Sequence, residues 1–420
     1  MSSFLWYGFS TGINKGVLLV AIPLLSGILS LQDYGLWSLS QVIIVVCSTL
    51  VSLNGYSSIL RFGVNDKLLG YGIFRKYFKY TLLIGGANLV FLFFYGVNWI
   101  SLTFLLAQLE GFQVLLLGWC RSRDYYFTYF IISLIKITAI VLTVSFVEVN
   151  SLVELLWGQF IFGGIMLAGL YTYVFYKDNN LLVSKLKMKN FLLFSLYLIP
   201  HNIALWILSS SDRIIIKNIL NEFELGLYSL AYSLALILML LNSGIALTLP
   251  NYIIAKYDYY INSKLKIKLI LLYSTSTILL NGFLYFFILF FKDKVFYFKE
   301  VDAVVYDVIV WVFNGIYLLG LYYFYSNILF YNKKAKLISL NTFFVSVLNV
   351  ILTIIMVNYM GIKGAAIASF FAYLIYLISN IFYSFRLENI IIKDIPYLFV
   401  ISIATITLNF YLIDFFPSLN

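Results

Sequence analysis

Residues 336–357, KLISLNTFFVSVLNVILTIIMV, and residues 364–385, GAAIASFFAYLIYLISNIFYSF, are two apolar stretches separated by a short break. A helix needs about 20 apolar residues to cross the hydrocarbon core of a bilayer. Stretches of this length recur along the whole chain, at roughly 8–29, 34–58, 77–97, 99–119, 126–147, 153–176, 191–218, 226–250, 267–291, 306–330, 336–357 and 364–385, with a thirteenth candidate at about 396–414. The sequence therefore predicts an all-α polytopic membrane protein with about 12 core helices.

The composition excludes several other classes of protein. Hydrophobic residues make up 62% of the 420 residues and charged residues 11%, against about 25% charged residues in ordinary soluble domains. A soluble enzyme could not bury so much apolar surface, and an outer-membrane barrel would show short alternating strands. One histidine and two cysteines exclude a disulfide framework and an ordinary Cys/His zinc site.

The basic residues predict the orientation in the membrane. If the N-terminus is cytoplasmic, the inner breaks hold twenty Lys and Arg residues, and the outer breaks hold Lys292, Lys294, Lys299 and Lys363. Cytoplasmic loops of membrane proteins carry such an excess. The net charge of +10 is thus explained by topology and does not indicate a nucleic-acid partner. Four basic residues remain inside predicted spans or near their ends, namely Lys15, Lys136, Arg213 and Lys217.

An internal repeat suggests two related halves. The segment DYGLWSLS at 33–40 is matched by ELGLYSLA at 224–231, 191 residues later. Six spans separate the copies, so both lie on the outer face in one orientation. This predicts two parallel six-helix bundles, residues 1–180 and 190–386, related by a pseudo-twofold axis along the membrane normal. Residues 387–420 would form a C-terminal extension with the extra helix.

Several motifs resemble a known family when they are read in order. They are PLL at 23–25, YGLWS at 34–38, ILRF at 59–62, DRIII at 212–216 followed by the second repeat copy, and GIKGAA at 361–366. Together they resemble polysaccharide biosynthesis proteins of the O-antigen flippase type. That family belongs to the multidrug/oligosaccharidyl-lipid/polysaccharide exporter superfamily, and its members usually have twelve spans.

The resemblance implies a function and a location. It predicts a multi-pass protein of the bacterial inner membrane that flips undecaprenyl-pyrophosphate-linked oligosaccharide repeat units from the cytoplasmic to the outer leaflet. Its partners would be that lipid, the surrounding membrane lipid and possible glycan polymerase and chain-length proteins. Such a transporter is not an enzyme, so we expect no catalytic residue, no metal and no cofactor.

Polar and charged groups inside spans are the candidate binding residues, because an ionisable side chain that faces lipid is costly. We assign substrate binding to Lys15 and Asn14 in the first span, Lys136 in the fifth and Arg213 in the seventh. Structural alternatives stand beside these roles. Lys15 could reach the lipid headgroups, Lys136 could pair with Glu110, and Arg213 could anchor a helix.

Two carboxylates inside spans are candidates for ion coupling. Glu110 lies in the middle of the fourth span between Gln108 and Gln113, and Asp212 lies toward the outer part of the seventh. A buried carboxylate is either paired or protonated, and both states suit coupling to protons or cations. A purely structural ion pair is the alternative for Glu110. For His201, an interior histidine with its hydrogen bonds satisfied is favoured over the alternative of a proton relay.

Two other functions compete with the flippase. An ion-coupled multidrug antiporter of the same superfamily would need a site dominated by carboxylates, whereas the cations inside these spans are at least as numerous as the acids. A membrane glycan polymerase or ligase would need a large external loop, and the outer breaks are short.

Overall fold

The computed structural model describes residues 6, 10, 12, 17–18, 21–64, 66–177, 188–262, 264–295, 303–388 and 394–415. Within these ranges the chain forms helices joined by short turns and contains no strand. The helices are α1 (Leu31–Val51), α2 (Gly55–Gly63), α3 (Lys67–Tyr95), α4 (Trp99–Ser122), α5 (Tyr126–Ser133), α6 (Ile135–Phe146), α7 (Leu152–Lys177), α8 (Lys189–Ile219), α9 (Glu222–Ala235), α10 (Ile237–Ala255), α11 (Tyr257–Asn262), α12 (Leu265–Val295), α13 (Ala303–Tyr331), α14 (Ala335–Leu387) and α15 (Ile395–Phe415).

The predicted spans correspond to these helices. In the part of the chain that the structure describes, 11 helical segments are long and apolar enough to cross a membrane. One of them, α14, bends at Gly361 and accounts for both 336–357 and 364–385. The thirteenth candidate is α15, whose length and composition also suit a span. The first predicted span, 8–29, lies partly outside the described residues. The prediction of an all-α, multi-pass membrane protein is confirmed.

Turns interrupt three of the predicted spans: 34–58 at residues 52–54, 126–147 at Leu134, and 226–250 at Leu236. In the first turn, Leu53 and Asn54 both have a positive φ of 51°. None of these positions is a proline or a glycine, and of the three turns only the first carries an ordinary sequence signal, the Asn54-Gly55 pair. Irregular backbone inside a membrane protein is tolerated where it is buried in protein or lines a cavity.

The bend in α14 has a local cause. Gly361 has φ +57°, a left-handed conformation that glycine adopts without steric cost. A Cβ atom on Gly364 would lie 2.1 Å from the backbone oxygen of Met356, so the chain can turn this tightly only with glycine there. Both glycines belong to the GIKGAA motif, which therefore encodes the joint between two spans.

The two repeat copies adopt the same local structure. In the first copy, the Ser30 hydroxyl caps α1 by accepting a hydrogen bond from the Asp33 backbone N–H at 3.1 Å. In the second, Asn221 caps α9 by accepting one from the Glu224 backbone N–H at 2.8 Å. Side-chain oxygens at this position satisfy backbone donors that the helix leaves free. Each copy thus marks the start of a helix, with an acid in its first turn.

The chain divides into two compact units, Met1–Ile203 and Ala204–Asn420, and α8 runs from the first into the second. The core of unit 1 is rich in stacked aromatic rings. Phe74 of α3 lies 5.5 Å from Trp119 of α4 and 5.9 Å from Tyr171 of α7, measured between ring centroids. Offset stacking of this kind stabilises a pair beyond its buried area, and here it joins three helices.

In unit 2, α15 packs against α12 and α13 through buried polar contacts. The Asn409 amide donates to the Asn314 Oδ1 at 2.8 Å, and the Asn281 amide donates to the Asn409 Oδ1 at 3.1 Å. At the start of the helix, Asp394 pairs with the buried Lys266, with 2.5 Å between Nζ and Oδ2. Polar side chains that hydrogen-bond across helices hold membrane helices together, so α15 belongs to unit 2.

A second contact fixes the end of α14. The Tyr257 hydroxyl, outside the spans, donates to the Glu388 carboxylate at 2.7 Å, and its ring stacks on Tyr331 at 3.7 Å. Burial raises the pKa of Tyr257, and the hydrogen bond to Glu388 raises it further. The phenol therefore stays protonated and keeps donating at physiological pH.

Candidate substrate and coupling sites

In unit 1, the structure brings Glu110 and Lys136 together. Glu110 lies in the middle of α4, and Lys136 lies on α6 immediately after the turn at Leu134. The Lys136 Nζ is 3.0 Å from the Glu110 Oε2, and the two side chains are 21% and 16% exposed. Asp33 and Glu154 lie in the first turns of their helices, whereas Glu110 lies at the centre of a span.

The ion pair lines one side of a small cavity of about 40 Å³ whose wall is otherwise largely apolar. Three glutamines complete its polar side: Gln41 of α1, Gln113 of α4 and Gln159 of α7. The Gln113 Nε2 donates to the Ile132 backbone carbonyl at 2.8 Å, beside the turn at Leu134. The Nε2 atoms of Gln41 and Gln159 are buried and have no hydrogen-bond partner in the described structure.

This geometry changes the role predicted for Lys136. The sequence prediction treated it as an unmatched cation inside a span, but Glu110 neutralises it, as in the structural alternative. An ion facing lipid at the bilayer centre costs about 2.5–3.5 kcal/mol, and the pair removes that cost. Because both partners line the cavity, a water molecule or a small polar group can still reach them.

Two other predicted site residues cannot be placed in this group. Lys15 and Asn14 lie outside the described residues. His201 of α8 is half-buried, and its Nδ1 has no hydrogen-bond partner in the part of the chain described. The expectation of a fully satisfied interior histidine is therefore not met.

The second charged group lies in unit 2, where Asp212 and Arg213 are consecutive residues of α8. Both are almost completely buried, at 2% and 1% exposure. The Arg213 Nη1 lies 3.9 Å from the Asp212 Oδ1, beyond hydrogen-bond distance. Asp212 instead accepts a hydrogen bond from the Tyr228 hydroxyl, and the Arg213 guanidinium lies over the Tyr232 ring at 4.2 Å. Each charged group thus contacts a tyrosine of α9, and the Arg213 backbone N–H also donates to the Asp212 Oδ1 at 2.8 Å.

The structure also identifies residues that the sequence prediction missed. Gln41 and Gln159 are uncharged, so a search for ionisable groups passed over them, although amides inside apolar spans were a usable signal. Tyr228 was noted only as the aromatic of the second repeat copy, and it contacts Asp212. The predicted site residues that the structure describes therefore form two groups, one in each unit.

Comparison with solved structures shows which known fold the chain has. No family model matches the chain, and no curated protein matches it. Solved structures do match. One is described as the inward-facing conformation of a multidrug resistance MATE family transporter of the MOP superfamily, with 14% identity, a TM-score of 0.65, and coverage of 92% of this chain and 96% of that one.

Two further solved structures show the same likeness to this chain. The outward-facing conformation of a multidrug resistance MATE family transporter matches with 14% identity and a TM-score of 0.57, covering 93% of this chain and 96% of the other. A ligand complex of the MATE multidrug transporter DinF-BH matches with 13% identity and a TM-score of 0.62 over the same shares. MATE-fold proteins consist of two six-helix bundles. The chain therefore has the all-α fold of the MATE transporters.

Proposed function

We propose that this protein is a membrane transporter that carries an amphiphilic substrate across the bilayer by alternating access. Its fold supports the proposal, because the solved structures it resembles are transporters recorded in inward-facing and outward-facing conformations. Transporters of this general plan use a polar site near the middle of the membrane. The structural neighbours named above are transporters and not enzymes.

The observation that carries the proposal is the polar cavity of unit 1. Charged residues inside spans are rare and usually face a pathway for ions or substrate. Here the Glu110–Lys136 pair and three glutamines line part of a cavity within the helices that are long enough to cross the membrane. A protein that needed only a stable fold could fill this space with apolar side chains, often without loss of stability.

The structural neighbours favour small drugs as the substrates. They are described as multidrug transporters, and one of them is in complex with a ligand. The balanced charge of the Glu110–Lys136 pair also weakens the sequence-based argument for an anion, since Lys136 is not a free cation. On this proposal, the protein exports amphiphilic organic molecules in exchange for an ion. Of the two candidate coupling carboxylates, Glu110 is the better placed, because Asp212 is sealed from solvent.

A second candidate substrate is an undecaprenyl-pyrophosphate-linked oligosaccharide. The ordered sequence motifs favour it. On this reading the protein lies in the bacterial inner membrane with a cytoplasmic N-terminus. Lys15, Asn14, Lys136 and Arg213 contribute to substrate binding, and a glycan polymerase and chain-length proteins act next.

One genetic experiment separates the two substrates. The gene is deleted, and the strain is analysed for lipid-linked repeat units, surface glycan and drug susceptibility. Accumulation of lipid-linked repeat units with loss of surface glycan would establish the flippase. Increased susceptibility to cationic dyes with intact glycan would establish the drug exporter. A strain unchanged in both respects would contradict both substrate classes.

A further inference from the structure

A groove lies between α10 and α12 in unit 2, where both helices pack on α13. Its volume is about 390 Å³, within the range of about 300–1,000 Å³ that is usual for ligand pockets. The lining residues run from Leu241 to Tyr252 on α10 and from Leu265 to Ser276 on α12, and α13 contributes Phe324. All of them belong to unit 2, so the groove is separate from the cavity of unit 1.

The groove is about as long as one leaflet of the bilayer is thick. Its first and last lining residues are eleven positions apart on each of the two helices, which at 1.5 Å per residue is about 16–17 Å. The hydrocarbon core of a bilayer is about 30 Å thick, so one leaflet accounts for about 15 Å. A helix from a second copy of the chain would have to cross both leaflets. The length of the groove therefore suits a hydrocarbon chain from a single leaflet.

Two of the polar side chains that line the groove already have partners within the protein. The Tyr273 hydroxyl donates to the Asn242 Oδ1 at 2.8 Å, and the Thr248 hydroxyl donates to the Gly244 backbone carbonyl at 2.8 Å. Most of the other lining residues are leucine, isoleucine or phenylalanine. A polar group that enters such a surface loses its hydrogen bonds to water without replacing them. The buried part of an occupant is therefore apolar.

One end of the groove carries exposed lysines. Lys256 lies one turn beyond Tyr252, at the end of α10. Lys264 and Lys268 lie at the start of α12, on either side of its first lining residue. Among the described residues, none of the three lysines forms an ion pair. Asp258 is an exposed acid in the same stretch, so positive charge predominates at this end.

We propose that the groove binds an anionic phospholipid, with an acyl chain between α10 and α12 and the phosphate at Lys256, Lys264 and Lys268. Basic pockets between membrane helices attract anionic headgroups, and the same lysines would repel a cationic drug. In the orientation that the sequence predicts, the lipid lies in the cytoplasmic leaflet. Its binding is a property of the purified protein and does not depend on which substrate is transported.

Native mass spectrometry of the purified protein tests the role of the lysines, with phosphatidylglycerol and phosphatidylcholine of identical acyl chains as probes. We expect the wild type to bind phosphatidylglycerol about tenfold more tightly, because lysines near the headgroup favour negative charge. Replacing the three lysines by glutamine should remove this preference. The matched control is Arg75→Gln with Lys76→Gln and Lys79→Gln, three exposed basic residues of α3 in unit 1, and it should keep the preference. Equal losses in the two triple variants would overturn the proposal.

A second set of variants tests the groove itself. Ile245→Trp with Leu269→Trp places two large side chains where the acyl chain would lie, so we expect this variant to lose both lipids. Leu271→Trp, at an exposed position of α12 outside the groove, should bind both lipids as the wild type does. Phosphatidylglycerol bound by the groove variant with wild-type affinity would overturn the proposal, because the lysines alone would then account for binding.

Photocrosslinking of the wild-type protein covers the case in which a variant fails to fold. A phosphatidylglycerol with a photoreactive group in its acyl chain should label α10 and α12 more strongly than the other helices. Labelling spread evenly over all helices would overturn the proposal. Displacement of the label by undecaprenyl phosphate at a lower concentration than by unlabelled phosphatidylglycerol would overturn the assignment to a phospholipid.

Discussion

The Glu110–Lys136 pair and the Asp212–Arg213 pair differ in how they are held. Glu110 and Lys136 lie on different helices, approach to 3.0 Å and line a cavity. Asp212 and Arg213 are neighbours on one helix, stay 3.9 Å apart and are sealed from solvent. In the first pair each ion is the main partner of the other. In the second, Tyr228 donates to the Asp212 carboxylate and the Tyr232 ring lies under the Arg213 guanidinium, in addition to the attraction between the two charges.

This difference separates two uses of charge inside a membrane. A pair that reaches water can exchange a proton or a partner, because the new state is also solvated. A sealed pair cannot do so without exposing a bare charge, whose desolvation costs several kcal/mol. Access to water, more than the presence of charge, therefore marks the unit 1 pair as the better functional candidate. Asp212 and Arg213 better suit a structural role.

The largest effect is expected from Asp212→Asn. The amide can still accept from Tyr228, but Arg213 is left buried without a negative charge nearby. Removing one partner of a buried pair costs about 3–5 kcal/mol. The free energy of unfolding in mixed micelles measures this loss, and Ser210→Ala on the same helix serves as the control. A loss below about 1 kcal/mol would show that Arg213 reaches other partners.

The next effect tests whether Tyr228 stabilises Asp212. Tyr228→Phe removes the hydroxyl and leaves the ring, and hydrogen bonds to charged groups contribute about 1.5–3 kcal/mol. We expect a loss of that size in the same unfolding measurement. Tyr411→Phe, at an exposed position of α15, should cause almost none. Equal losses in the two variants would mean that Arg213 alone stabilises the carboxylate.

In unit 1 a smaller effect is expected, because the pair is partly solvated. Lys136→Met leaves Glu110 without its cation and should cost about 1–3 kcal/mol. Adding Glu110→Gln removes the unpaired charge and should recover most of the loss. A double-mutant cycle measures this coupling. Additive losses would indicate that the two side chains do not interact.

The smallest effect belongs to the exposed pair of Lys217 and Glu222, which are 3.5 Å apart and 25% and 44% exposed. Pairs of this kind contribute at most about 1 kcal/mol. Lys217→Gln should therefore leave the unfolding midpoint almost unchanged and lose what effect it has in high salt. If Lys217→Gln lowered the free energy of unfolding as much as Asp212→Asn, burial would not explain why these ion pairs differ in their contribution to stability.

Much of the fold could be predicted because the lengths of the apolar runs can be read directly from the sequence. The spans, including α15, follow from apolar runs, and the joint at Gly361 follows from the glycines of its motif. The turns at Leu134 and Leu236 could not be predicted, because leucine is an ordinary helix residue there. Tertiary contacts support the turn at Leu134, among them Gln113 with Ile132.

The candidate site could be predicted only in part from the sequence, for a similar reason. Glu110 and Lys136 stood out as charges inside spans, and their pairing was one of the two alternatives considered. Which alternative holds depends on how α4 and α6 pack. Gln41 and Gln159 are far apart in sequence and meet only through the packing of α1 and α7 around the cavity. No local sequence pattern predicts that these two side chains line the same cavity.

The matching caps at Ser30 and Asn221 have a consequence for biogenesis. Each cap is a contact over three residues, so it can form as soon as those residues leave the ribosome. Only residues 220–221 separate α8 from α9, and Asn221 fixes where the second helix starts. The two helices can therefore enter the bilayer together as a hairpin, with their register set before later segments are synthesised. Asn221→Ala would then delay insertion, which glycosylation-site mapping during translation can detect.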